Sequence, residues 1–226
     1  MSKETQVTEK DPNQVVVDKA KDFWAKYQRP LMLASILIIL VGGGYLAYKK
    51  LYKDPNEAKA EDAIFRAEEY YRMDSLQKAL NGDMVNAGFL KVISKYGSTD
   101  AGNRAKLYAA DCYVRTGEFA KAENLLKEYS TGSKMIQAGA YKLLADALSE
   151  QGKNEDAINY YKKAAHEFEA DKDNASLYLS FAAALCDKTG KKDEAIALYK
   201  EIKDKFQGTA AAYDADKYLG KLGAYN

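Results

Sequence analysis

Histidine and cysteine are almost missing from this chain: His166 is the sole imidazole, and Cys112 and Cys186 are the only thiols in 226 residues. One histidine excludes a multi-histidine metal site, and without a GxSxG turn a Ser-His-Asp arrangement has one candidate base and nothing to support it. Two cysteines outside any CxxC pair exclude a disulfide framework. A basic stripe is absent as well. The formal charge is +1, yet residues 1–53 carry nine Lys/Arg against five Asp/Glu, which leaves 25 against 28 for residues 54–226. Nucleic-acid binding needs clustered cations to neutralise phosphates, so a weakly acidic domain argues against that class.

The chain has one long apolar run, Leu31 to Tyr48, free of charge. As a helix rising about 1.5 Å per residue it approaches the thickness of a bilayer's hydrocarbon core, about 30 Å. The run begins late for a cleavable signal peptide and no small-residue cleavage site follows it, which predicts a retained anchor over residues 30–50 in contact with membrane lipid. Trp24 and Tyr27 on one side, with Tyr45, Tyr48 and Tyr52 on the other, suit interfacial aromatic belts. Lys19, Lys21, Lys26 and Arg29 are balanced by Lys49, Lys50, Lys53 and Lys59, so the positive-inside rule leaves orientation open. Gly43-x-x-x-Ala47 admits two readings, a face for a partner helix or a flexible, lipid-facing end.

Beyond the run, three segments superimpose when Gly117, Gly152 and Gly190 are aligned, at spacings of 35 and 38 residues. Seven residues before each glycine stands Ala110, Ala145 or Ala183; five after it stands Ala122, Ala157 or Ala195; nine after it stands Leu126, Tyr161 or Tyr199. Small residues at two fixed places let paired helices approach, and the glycine suits the left-handed turn between them. These units resemble tetratricopeptide (TPR) repeats, matching that signature in Leu144-Ala145-x2-Leu148 and Ala157-x3-Tyr161 but without its tryptophan. The expected fold is all-α, a single N-terminal transmembrane helix followed by a TPR helical solenoid. Its expected divisions are a polar tail (1–29), the anchor (30–50), a linker helix with a divergent first repeat (51–100), three repeats (101–208) and a C-terminal capping helix (209–226).

TPR solenoids line their inner face with the first helix of each repeat. That register places Arg104, Leu107, Asp111 and Val114, then Lys142, Asp146 and Ser149, then Leu177, Ser180 and Asp187 in a protein-binding groove. The Lys/Asn pattern with which chaperone-binding TPR proteins clamp a terminal carboxylate is missing, since Asp146 stands where Asn is wanted. Recurrent tyrosines, among them Tyr70, Tyr71, Tyr113 and Tyr161, are read as core packing. Cys112 and Cys186 are read as buried free thiols, His166 as a structural residue near a helix end, and Glu61-Asp62 with Glu68-Glu69 as solvated faces. No catalytic residue, cofactor or metal is expected.

A short tail, one anchor and a C-terminal TPR domain resemble the YfgM-like ancillary SecYEG translocon subunits of Gram-negative bacteria. Ala79-Leu80-Asn81-Gly82-Asp83, Gly88-Phe89-Leu90 and Tyr96-Gly97-Ser98-Thr99 carry the resemblance along with the repeat positions. It implies a single-pass inner-membrane protein with a cytoplasmic N-terminus and a periplasmic TPR domain. The implied partners are the SecYEG translocon, periplasmic chaperones or prolyl isomerases, and secreted clients. A scaffold of cell-envelope, division or outer-membrane assembly machinery is the alternative, and an anchored enzyme follows only if His166 lies in a deep polar cleft.

Overall fold

A computed structural model describes the backbone of residues 12–224 and, apart from residues 12–15 and 52, their side chains. The first eleven residues of the expected tail, the interfacial role expected for the Tyr52 ring and the last two residues of the expected cap lie outside the described residues. Within them every regular element is helical, and the chain divides into two units, Met1–Pro55 and Asn56–Asn226.

The first unit holds α1 (Pro12–Tyr48) and one π-helical turn, Lys49–Lys53. The expected polar tail is therefore helical from Pro12 onward and runs straight into the apolar segment. Pro30 lies inside α1 and withholds the amide that the Lys26 carbonyl would accept, without ending the helix. Leu33, Ile38, Ile39 and Leu40 are all exposed, so this segment is apolar on every side with no protein covering it. It is the one helix among the described residues long and apolar enough to cross a membrane.

The second unit is a solenoid of α2 (Asp54–Arg72), α3 (Leu76–Asn81), α4 (Phe89–Tyr96), α5 (Asp100–Arg115), α6 (Phe119–Glu128), α7 (Lys134–Glu150), α8 (Asn154–Glu167), α9 (Lys172–Lys188), α10 (Lys192–Lys205) and α11 (Ala210–Lys221). From α3 onward each helix packs on its sequence neighbours, while α5 also touches α7 and α9 touches α11. The turn glycines have φ of 79°, 75° and 79° at Gly117, Gly152 and Gly190. Behind each, the next amide reaches back five residues, Glu118 to the Tyr113 carbonyl, Lys153 to Leu148 and Lys191 to Cys186, at 2.8, 2.9 and 2.8 Å. That is the Schellman arrangement, and it closes the first helix of each repeat in the same way.

The first repeat uses the same turn without glycine. Asp74 takes φ 59°, and the Ser75 amide reaches the Tyr70 carbonyl at 2.9 Å. Counting from Asp74 restores the repeat, because Ala67 lies seven before it and Ala79 five after it, both with no exposed surface. The second helix of this repeat is broken into α3 and α4 by residues 82–88. Residues 56–100 are thus an integral repeat, and its first helix buries Ala60, Ile64 and Ala67.

Helix starts are satisfied by specific acceptors. The Glu57 carboxylate takes the Asp100 and Ala101 amides at 2.8 and 2.9 Å, and Thr99 Oγ1 takes Gly102 at 2.9 Å, so three orphan amides of α5 are paired. Thr209 caps α11 in the same way as Thr99 caps α5. In α6, Glu123 is buried and accepts from Lys127 and Lys153 at 2.7 Å each and from Gln151 at 2.9 Å, tying α6 to the turn after α7. The ammonium groups of Lys127 and Lys153 hold its carboxyl down at about 2.

Two glycine substitutions are expected to act with opposite sign. A Cβ at Gly102 would stand 1.8 Å from the Tyr96 carbonyl oxygen, whereas at Gly139, inside α7, nothing lies within 4 Å. Thermal unfolding of the full chain should show Gly102→Ala strongly destabilised. Gly139→Ala should be stabilised by about 0.5–1 kcal/mol, the helix-interior difference between the two residues. Acid should act through Glu123: its folded-state pKa is depressed, so its stabilisation is complete above the ordinary carboxylate range and fades as pH falls towards 2. The melting-temperature gap between wild type and Glu123→Gln should be widest above pH 5 and should close on acidification.

Candidate functional site: the inner face of the first helices

The first helices of two pairs of neighbouring repeats meet, α5 with α7 and α9 with α11. All ten groove candidates stand on these helices, but their surroundings differ. Arg104 forks onto Glu61 of α2, with Nη1 to Oε1 at 2.9 Å and Nη2 to Oε2 at 2.6 Å, and Glu68 lies 3.9 Å away. Asp111 accepts the Tyr71 hydroxyl at 2.8 Å, and Arg115 reaches Asp74. The α5 charges expected to face a partner are therefore occupied in tying α5 to α2. Glu61 and Glu68, expected as solvated faces, form the other half of that tie.

The middle repeat is more open. Lys142 Nζ donates to Asp146 Oδ2 at 2.7 Å and also stands 5.5 Å from the Phe181 ring centre. The Tyr161 hydroxyl, from α8, donates to Asp146 Oδ1 at 2.7 Å. Burial pushes the Tyr161 phenol far up, and the Asp146 carboxylate pushes it the same way, so the phenol keeps its proton and acts as a donor. Around this pair opens a concavity of about 470 Å³ lined by Val114, Phe119, Asp146, Ser149, Glu150 and Tyr161. Three of the predicted residues, Val114, Asp146 and Ser149, meet there. Phe119, Glu150 and Tyr161 were missed by the sequence reading, the last because its spacing marked it as core alone.

The remaining candidates do not join that concavity. Leu107 is half-buried against the core, and Ser180 spends its hydroxyl on the Ser176 carbonyl at 2.9 Å. Leu177 and Asp187 are exposed on α9. His166 sits on the surface at the end of α8, with Nδ1 2.8 Å from Glu169 and Nε2 3.8 Å from Glu201, and not in a deep polar cleft. Cys112 and Cys186 are buried free thiols, each pushed up to about 11 by burial. Among the described residues no group of three His, Cys, Asp or Glu converges to hold a metal ion.

The chain belongs to the tetratricopeptide repeat-like domain family, whose model matches residues 21–215 and so takes in the apolar helix together with the solenoid. Its fold is similar to the crystal structure of MamA protein, with a TM-score of 0.51 and 17% identity over 74% of this chain and 90% of that one. A weaker likeness is to the crystal structure of BtubC (BKLC) from P. vanneervenii, with a TM-score of 0.43 and 19% identity over 76% of this chain and 65% of that one. No curated protein matches the chain. The protein is a TPR-like protein-interaction scaffold with one N-terminal helix apolar enough to span a membrane.

Removing the Tyr161 hydroxyl isolates the bond that braces Asp146. Tyr161→Phe should lower stability to urea by about 1 kcal/mol, the usual net worth of such a bond. Unchanged stability would mean that the hydroxyl does not hold the carboxylate in place.

Proposed function

We propose that this protein is a membrane-anchored docking module whose α1 spans the bilayer and whose solenoid captures a protein segment along the inner face of α5 and α7. The observation that carries the reading is the concavity of about 470 Å³, where Val114, Phe119 and Tyr161 supply apolar walls beside the carboxylates of Asp146 and Glu150. Such a site suits an extended or helical segment that buries one apolar side chain and presents amide or cationic donors. Lys142, Leu177, Ser180 and Asp187 extend this surface along α7 and α9, and Arg104, Leu107 and Asp111 border it on α5.

We place the module at the periplasmic exit of the SecYEG translocon, with the N-terminus cytoplasmic and the solenoid periplasmic. There it would engage emerging clients, or the chaperones and prolyl isomerases that receive them. The resemblance to YfgM-like subunits supports this placement, while the family match, which runs through the apolar helix and the repeats, supports only the joining of a TPR-like scaffold to that helix.

A photo-crosslinking residue placed at Ser149 in the full-length membrane protein tests the reading against one at Asn159, which is exposed on α8 outside the concavity. Ser149 should yield adducts with translocon subunits or secretory chains, and Asn159 should not. The docking reading fails if both positions give the same adducts, and the translocon placement fails if Ser149 adducts contain neither class.

A further inference from the structure

The break in the first repeat is built, not slack. Residues 82–88 close into a tight hairpin in which Asp83 donates its amide to the Asn86 carbonyl at 3.1 Å and Gly82 pairs with Ala87. Asp83 Oδ1 accepts the amides of Val85 and Asn86 at 2.8 and 2.6 Å, and its other oxygen takes the Tyr70 hydroxyl. Gly82 has φ +80°, and a Cβ there would stand 2.2 Å from the Asn86 carbonyl oxygen. A Cβ at Gly88 would stand 2.3 Å from the Gly82 nitrogen. The backbone is fixed, and what it holds out is apolar: Met84 is fully exposed and Val85 is 89% exposed.

Behind this tip lies a cavity of about 390 Å³ that Val85 itself helps to line, together with Lys59, Arg66 and Lys91. Asp62 is the only acid among its lining residues, and Arg66 is paired with Glu69 at 2.6 Å. Lys59 and Lys91 stand beside the apolar tip in a domain that is otherwise weakly acidic. Lys59 also follows Tyr48, the end of the apolar run, by only eleven residues. Even fully extended, the residues between them reach about 40 Å at most.

We propose that the 82–88 hairpin is a second membrane contact, with Met84 and Val85 entering the interface of the bilayer that holds α1 and Lys59 and Lys91 binding anionic phospholipid headgroups. The inference rests on α1 spanning the membrane. An apolar tip with a cationic collar is the combination that holds peripheral elements to anionic surfaces, because each part supplies an attraction the other lacks. Its effect would be to give the chain a second point of attachment to the lipid beside α1.

The test uses the full-length protein in nanodiscs of phosphatidylcholine, with or without phosphatidylglycerol. Cys112 and Cys186 have no exposed surface, so Met84→Cys can carry an environment-sensitive dye selectively. Tyr213→Cys, at the far end of the chain, is the control. Lipids brominated near the headgroup should quench the dye at position 84 in phosphatidylglycerol discs, much less in uncharged discs and not at position 213. Lys59→Gln with Lys91→Gln should abolish the quenching. Trp24, the only tryptophan, reports independently on α1. Quenched Trp24 with an unquenched dye at 84 overturns this inference alone and leaves the tip to a protein contact. Unquenched Trp24 overturns the anchor reading and this inference with it. Equal quenching in both lipids overturns the role of the lysines.

Discussion

Close approach of helix backbones is the constraint from which the solenoid follows. Ala67, Ala110, Ala145 and Ala183 in the first helices, and Ala79, Ala122, Ala157 and Ala195 in the second, have no exposed surface. A larger side chain at these crossings would push a helix pair apart, and each pair is also the floor for the next. Alanine buries little apolar area, so the volume between pairs is filled by a few larger residues. Tyr113, Leu126, Tyr161 and Tyr199 are nearly buried, and the rings of Phe89 with Tyr108 and of Tyr199 with Tyr218 stack with centres 5.4 and 4.9 Å apart. Tyrosine suits this place because its body packs while its hydroxyl reaches the inner face, as Tyr71 does to Asp111 and Tyr161 to Asp146.

The first repeat shows what happens when the pattern is interrupted. Its second helix is split into α3 and α4, yet both pieces still pack on α5. Polar ties from α2 and the turn after it add to that packing, running from Glu57 at the start of α5 through Glu61 with Arg104 and Tyr71 with Asp111 to Asp74 with Arg115. Exposed ion pairs contribute little to stability, commonly below about 1 kcal/mol each. Their role here is register: a ladder of matched partners along both helices fits only one alignment of α2 on α5.

The repeats and their turns were legible because glycine in a left-handed turn and alanine at a crossing are dictated by backbone sterics, which a single sequence displays directly. The Schellman turns at Gly117, Gly152 and Gly190 stand where the spacing put them. Asp74 was not legible, since aspartate tolerates the left-handed region but does not announce it. Its repeat is nevertheless visible in retrospect through Ala67 and Ala79. The groove stands as a proposal, and what the sequence made legible of it is the helices that carry its candidates. Helix period places Arg104, Asp111, Lys142 and Asp146 on the first helices, but period says nothing of which charges are neutralised from a neighbouring helix. The helical course of residues 12–29 was hidden by their polarity, which marks solvent exposure and not absence of helix.

Self-pairing on the inner face sets the kind of binding it can support. Asp146 already receives Lys142 and Tyr161, and Arg104 already holds Glu61, so an incoming segment finds few unmet charges to neutralise. A partner that competes for these groups must first separate a satisfied pair, and the exchange returns little net free energy. For the docking proposed above, affinity would then come mainly from burying apolar surface against Val114, Phe119 and Tyr161 in the concavity. A surface of that kind favours modest affinity and broad acceptance of sequence over tight selection of one ligand. On the membrane-anchored docking proposed above, tethering would offset modest affinity by raising the local concentration of any partner confined to the same membrane, which gives a physical sense to joining an apolar helix to such a surface.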